Sequence, residues 1–221
     1  SIVPPGTKYK EINSTDIRNF EIPLPPLEIQ MKIVSACSNI DKEAEKAEKT
    51  IVYSMNKIEE LFQEGYVKSS SSHRISNTDI FKLSIGKRVL KNEINLEKKG
   101  IPVYSANVFE PFGHIEKKLL KDFDTPSVLW GIDGDWMVNC LPENEPFYPT
   151  DHCGVLKIIS DELQPKYVAW AIRKEGERVR FSRTNRASMD SMRGLSVKAP
   201  SKEIQTALIK KVENLEKKIK T

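Results

Sequence analysis

The sequence has 221 residues, of which 38% are hydrophobic and 30% charged, with a formal net charge of +4; this balance predicts one modest core and a well-solvated remainder. No apolar run is long enough to span a bilayer as a helix, and the opening Ser1-Ile2-Val3-Pro4-Pro5 lacks the charged and apolar regions of a signal peptide. Cys37, Cys140 and Cys153 are odd in number and out of metal-ligand spacing, which predicts free thiols in a reducing cytoplasm and argues against a disulfide scaffold or structural zinc site.

The first predicted element is the end of a unit that occurs twice. Phe20 to Gln30 recurs as Leu195 to Gln205, with Ile22 aligned to Val197, Pro25 to Pro200, and Glu28, Ile29 and Gln30 identical to Glu203, Ile204 and Gln205. The approach also matches, Ile17 and Arg18 facing Met192 and Arg193. Alternating apolar residues predict a short strand in each copy. Proline ends that strand and can open a helix, where its missing N–H is not needed. Residues 1–25 are therefore expected to be the terminal strand or tail of a preceding unit.

A spacer helix is predicted over 26–66, ended by Gly65. Cys37, Ile40, Ala44, Ala47, Ile51, Ile58 and Leu61 lie on one heptad seam, interrupted at Ser54, and Glu45 and Lys49 form an i,i+4 pair. Such a rod cannot bury its seam alone. A second, truncated spacer helix over 201–221 opens the same seam with Leu208, Val212, Leu215 and Ile219. The expected arrangement is an antiparallel coiled coil with Ile40, Ala44 and Ala47 opposite those four, and with a second protein or a second copy as the alternative partner. Lys68–Ser72 reads as a serine-rich link. Residues 67–200 read as the globular part, with β-like stretches at 80–85, 101–104, 127–132, 136–140 and 155–159 and a helix from Pro165 to Arg173. The fold class is α+β, an irregular curved-sheet domain flanked by long heptad-patterned helices.

At the proline break the chain resembles the specificity subunits of type I restriction–modification systems: Ile22 to Gln30 looks like the junction between a target-recognition domain and its spacer helix. Gly100 to Asn107 resembles an early strand of that domain, Gly131 to Asp135 and Thr150 to His152 its central hairpin and following turn, and Leu163 to Tyr167 the start of its late helix. The resemblance implies a non-catalytic component that reads double-stranded DNA. It would position DNA-adenine methyltransferase subunits and a translocating restriction subunit, with S-adenosylmethionine held only by the methyltransferase. A complete subunit of this kind carries two recognition domains. The chain is therefore expected to be a fragment, a half-subunit pairing with another copy, or part of a fused methyltransferase–specificity polypeptide. A coiled-coil interaction protein without a nucleic-acid role is the remaining alternative.

Charge locates the expected DNA contact. From Ile172 to Lys198 eight basic residues face three acids, a segment of +5 that leaves everything else near −1. Within it, Arg183 and Arg186 suit phosphates or guanine edges, Asn185 suits an adenine edge, and Arg180, Thr184 and Ser188 suit phosphates. Lys87, Arg88 and Lys91, with Asn92 beside them, form a second patch, and Asn107 opens a turn-rich stretch towards His114. Phe109 and Phe112 are expected in the core. Asp133, Asp135, Asp151 and His152 suggest a metal site for phosphodiester cleavage, but a tight turn over 133–135 explains the two acids better. No nucleotide loop, nucleophile motif or metal-ligand spacing occurs.

Overall fold

The computed structural model describes residues 14–95, 97 and 99–220. What is expected of residues 1–13 and of Thr221 lies outside them. The chain divides into two compact units, Ser1–Thr50 and Ile51–Thr221, and each is described by itself.

In the first unit a single turn of helix, α1 (Ser14–Arg18), is followed by residues without regular structure and then by the start of α2 (Leu27–Val67). The second unit closes in the same way, with α4 (Met189–Arg193), β9 (Ser196–Ala199) and α5 (Lys202–Lys220). The repeat holds bond by bond. Phe20 N–H donates to Ile17 O at 3.2 Å, as Leu195 N–H does to Met192 O at 3.0 Å. The Gln30 amide reaches back to Pro25 O at 2.7 Å, as the Gln205 amide does to Pro200 O at 2.8 Å. The repeated Glu-Ile-Gln thus encodes one helix start, in which the glutamine ties the first turn to the carbonyl before it. The copies differ at the strand. β9 exists because it pairs with β1 (Ser71–Arg74), whereas no described segment pairs with residues 20–25, and unpaired backbone does not form a strand. The strand expected there is corrected accordingly. Ile22 and Leu24 are exposed where their counterparts Val197 and Ala199 are fully buried.

The second unit is α+β. An antiparallel sheet in the order β2 (Phe81–Ile85), β8 (Cys153–Ile158), β5 (Ser127–Gly131), β6 (Val138–Leu141) forms its centre. A smaller sheet places β3 (Ile101–Tyr104) between β4 (Gly113–Ile115) and β7 (Tyr148–Pro149). α3 (Pro165–Arg178) packs on β5 and β6. Every residue of β5 is buried because both faces are covered: Val128 and Trp130 join the core under α3, and Leu129 joins Tyr104, Phe147 and Val155 on the other side. The five expected strands are present. β1, β4 and β7 are additional, and β1 lies partly in the stretch expected as a link.

α5 meets α2, as expected, but at other turns. α2 buries Ser54, Leu61, Phe62 and Gly65, and its Ile58 and Leu61 share a core with Leu208, Val212 and Leu215. Ile40, Ala44, Ala47 and Ile51 are exposed, and Ile219 is half-buried. The physical reason is the β1–β9 ladder, which pairs Ser71 with Ala199. It brings the end of α2 to the beginning of α5, so α5 meets the last turns of α2. Ser54, which interrupts the apolar seam, is a buried small residue. Gly65 is not a cap: a Cβ there would lie 2.5 Å from the Leu208 side chain, and the helix continues to Val67. α3 joins this group through Trp170, stacked on Phe62 at 5.3 Å, and through Glu59, which accepts from Trp170 Nε1 at 3.1 Å and Arg173 at 2.8 Å.

Gln205, 1% exposed, also donates to Glu162 O at 3.1 Å and accepts from Gln164 N–H at 2.8 Å, fastening α5 to the start of α3. Gln205→Leu leaves these buried groups unpaired and is expected to cost about 2 kcal/mol. Gln30→Leu, at a half-buried copy with one bond, is expected to cost less than about 0.5 kcal/mol. Urea unfolding midpoints of the two variants check the contrast.

Candidate nucleic-acid interface

β2 and β5 end, and β6 and β8 begin, at the same end of the four-stranded sheet. The segment leaving β2, the β5–β6 connection and the segment entering β8 therefore meet there, the loop after β3 and residues 180–188 join them, and hydrogen bonds tie the five together. Lys87 N–H donates to Pro149 O at 3.1 Å, and Thr150 Oγ1 donates to Ser105 Oγ at 3.1 Å. Ile132 N–H donates to His152 O at 3.0 Å, and Ala187 N–H donates to Ile132 O at 3.2 Å. The Trp130 indole, fully buried, donates to Ala187 O at 2.9 Å. Gly131 lets the loop after β3 approach, since a Cβ there would meet Ala106 O at 2.3 Å. The result is one polar rim built from residues 86–88, 105–109, 131–135, 149–152 and 180–188.

The rim collects most of the expected site residues. Arg180, Arg183, Thr184, Asn185, Arg186, Lys87, Arg88 and Asn107 are exposed on it, and Ser188 is half-buried. Lys91, also exposed, sits apart in a 3-10 turn, Lys91–Glu93. Several side chains have local duties. Ser188 caps α4 by accepting from Ser191 N–H at 3.2 Å. Asn107 accepts from the N–H groups of Phe109 and Glu110 at 2.9 Å and 3.2 Å, forming an Asx turn. The Asn185 amide nitrogen donates to Val179 O and Arg180 O at 3.0 Å and 3.3 Å, leaving its oxygen as the outward group. Phe109 and Phe112, expected in the core, are 57% and 58% exposed, because the loop after β3 turns them away from both cores.

The positive segment divides into paired and unpaired cations. Arg173 and Lys174 bind Glu59, Arg178 binds Glu175, and Arg193 binds Asp190. Arg180, Arg183, Lys87 and Arg88 have no ion pair among the described residues. The field expected from the whole run is thus concentrated at the rim.

Arg186 contacts Asp133 through Nε, and the other oxygen of that carboxylate contacts His152 Nδ1. Asp133 lies in the six-residue loop between β5 and β6, a wider connection than the tight turn expected, in which residues 132–135 bend and Gly134 takes φ +87°. Partial burial raises the Asp133 pKa, but hydrogen bonds from His152 and Arg186 outweigh it and hold the carboxyl below its ordinary range. Asp133 is therefore engaged by an arginine and an imidazole, and no group of three or more His, Cys, Asp or Glu that could hold a metal ion occurs among the described residues. Cys153, next to His152, is not an activated nucleophile, because burial pushes its thiol up to about 12. Sequence reasoning found the members of this group but not that Arg186 joins it, since no local spacing links residues 133, 152 and 186.

The backbone conformation of Arg180 is the feature of the loop that the sequence does not show. α3 ends in a Schellman pattern, with Phe181 N–H donating to Gly176 O at 3.0 Å, and Arg180 takes φ +60° at the position where glycine is usual. An arginine in the left-handed region costs roughly 1 kcal/mol.

Comparison with known proteins places this architecture. The family model described as type I restriction modification DNA specificity domain matches residues 4–52 and 72–221. The chain belongs to that family. Its members are recognition components rather than catalysts. A Mycoplasma pneumoniae protein, named as the N-terminus of a type I specificity subunit, is 33% identical over 97 residues, 43% of this chain and 50% of its own length. Another named type I specificity subunit from that organism is 25% identical over 196 residues, 86% of this chain and 78% of its own. Among solved structures, an S subunit of a type I restriction-modification system from M. genitalium superposes with a TM-score of 0.71 at 18% identity, covering 97% of this chain and 61% of that one. An HsdS subunit from Thermoanaerobacter tengcongensis gives 0.50 at 15% identity, covering 98% and 57%. The chain thus spans half of the first curated relative and about three fifths of these solved subunits. No helix among the described residues is long and apolar enough to cross a membrane.

Arg180→Gly removes the left-handed strain and a rim charge together. It is expected to raise stability by about 0.5–1 kcal/mol, read from the thermal midpoint.

Proposed function

We propose that this chain is a sequence-reading part of a type I specificity subunit and that the rim is its double-stranded DNA contact. The observation that carries the reading is the concentration of Lys87, Arg88, Arg180 and Arg183, all exposed and without ion pairs among the described residues, on one edge built from five tied loops. In this reading Lys87, Arg88 and Arg180 hold phosphates. Arg183, Arg186 and the outward oxygen of Asn185 read base edges in the major groove. Lys91 adds charge at a distance.

The helices serve a second role. Residues 14–40 reproduce the closing segment of the recognition domain, yet the copy leaves Phe20, Ile22, Leu24, Ile33 and Ile40 exposed. This supports their being the close of another recognition unit, supplied by the same polypeptide or by a second copy. The assembled protein positions a DNA-adenine methyltransferase and a translocating restriction subunit in the cytoplasm. It holds no cofactor of its own, and S-adenosylmethionine belongs to the methyltransferase.

The test is binding of duplex DNA as a function of salt, with the chain alone and in the complex reconstituted with a methyltransferase. Lys87→Ala is expected to weaken binding to all sequences alike and to lower the slope of log affinity against log salt by about one. The triple alanine variant at 183, 185 and 186 is expected to relax base preference, each base-reading side chain being worth about 1–3 kcal/mol. The chain alone is expected neither to cleave nor to methylate DNA. Full affinity and unchanged preference in the triple variant would overturn the assignment of the reader and shift it to the loop of Asn107 to His114. Metal-dependent turnover lost in Asp133→Ala would overturn the non-catalytic reading.

A further inference from the structure

Asp133 has no place in a simple phosphate-binding rim. A carboxylate among unpaired cations repels the DNA backbone, and an exposed ion pair adds little stability in return. Arg186 is 58% and Asp133 28% exposed at the side chain. The backbone around the pair is nonetheless held firmly. Ile132, which precedes Asp133, donates to His152 O at 3.0 Å and accepts from Ala187 N–H at 3.2 Å. Ala187, which follows Arg186, is 2% exposed and is held again by the Trp130 indole at 2.9 Å. His152 occupies the other carboxylate oxygen, and its own N–H donates to Thr150 Oγ1 at 3.2 Å. Both partners of the ion pair therefore stand one residue from a fixed backbone anchor, and the carboxylate is steadied from its far side.

The contact on Arg186 is made through Nε. A guanidinium held at Nε keeps its two terminal nitrogens for a planar, two-pronged partner, and the guanine O6/N7 edge is that partner in the major groove. Free arginine loses rotamer freedom when it binds; an arginine already braced loses less.

We propose that Asp133 is a positioning residue, braced by His152, that aims Arg186 at the O6/N7 edge of one guanine in the recognised sequence. The inference rests on the reading of the rim as the DNA contact. Asp133 itself touches no DNA, and its effect is selective: it disfavours binding to any sequence through its charge and restores affinity only where Arg186 finds its guanine.

The test uses the reconstituted complex, with base preference read by selection from a randomised duplex library. Arg186→Ala identifies the base pair that Arg186 reads. Asp133→Asn is expected to relax preference at that same base pair and no other, lowering the ratio of specific to non-specific affinity about tenfold, while non-specific affinity holds or rises and the thermal midpoint stays near the parent value. Arg186→Lys, which keeps the charge but loses the fork, is expected to match Asp133→Asn. Replacing the guanine by 7-deazaguanine is expected to weaken the parent complex strongly and the Asp133→Asn complex little. Asp133→Glu moves the carboxylate by one methylene and reports the same loss should Asp133→Asn fold poorly. Preference relaxed by Arg186→Ala but unchanged in both Asp133 variants overturns the positioning role and leaves the rim reading intact. Loss of all binding in step with a lowered thermal midpoint makes Asp133 a structural residue and also overturns it. Unchanged preference in Arg186→Ala overturns both.

Discussion

Four residue pairs, Ser71 with Ala199 through Arg74 with Ser196, set the plan of the second unit. This short ladder joins the segment leaving α2 to the segment entering α5, and everything between is a closed excursion of the chain. Once the two ends are tied, the first turns of α5 must meet the last turns of α2, and α3 fills the angle between them with Trp170, Tyr167 and Ala171. The ladder also explains why the helix start is so tightly specified. Gln205 bonds Pro200 O, Glu162 O and Gln164 N–H at the point where sheet, α3 and α5 meet. A buried side-chain amide with all three partners in place is costly to misplace. The same residues in the first unit, without a strand or an α3 to meet, keep only the local bond.

The rim of the central sheet shows the complementary strategy. Where the ladder end buries its polar groups, the rim gathers loops whose backbones are fixed to one another and whose charged side chains point outward. The division of cations is the clearest sign. Those on α3 are neutralised by Glu59 and Glu175 and serve packing, whereas those just past its end are left unpaired. Left-handed Arg180 marks the boundary, and a residue better suited to that backbone would carry no charge. Paired cations thus serve packing on α3, and the cations without an ion pair among the described residues gather where β2 and β5 end.

The sequence by itself determined the α+β class, the five principal strands, the late helix and the two helix starts, because hydrophobic period, proline and the repeated Glu-Ile-Gln are local signals. It also determined the family, through the order of several weak motifs along the chain. Tertiary structure alone decided the rest. The β1 strand, made of Ser71, Ser72, His73 and Arg74, has no apolar alternation to announce it and exists because β9 lies beside it. The seam of α2 runs on both sides of Ser54 in sequence, so periodicity could not say which of its turns would face α5; Ser54, Ile58, Leu61 and Gly65 were selected by the ladder. Phe109 and Phe112 read as core residues by type and lie exposed because of the path of their loop. Arg186, Asp133 and His152 were each visible as candidates, but their union depends on three loops meeting at the end of a sheet, and residues far apart in the chain share no spacing rule.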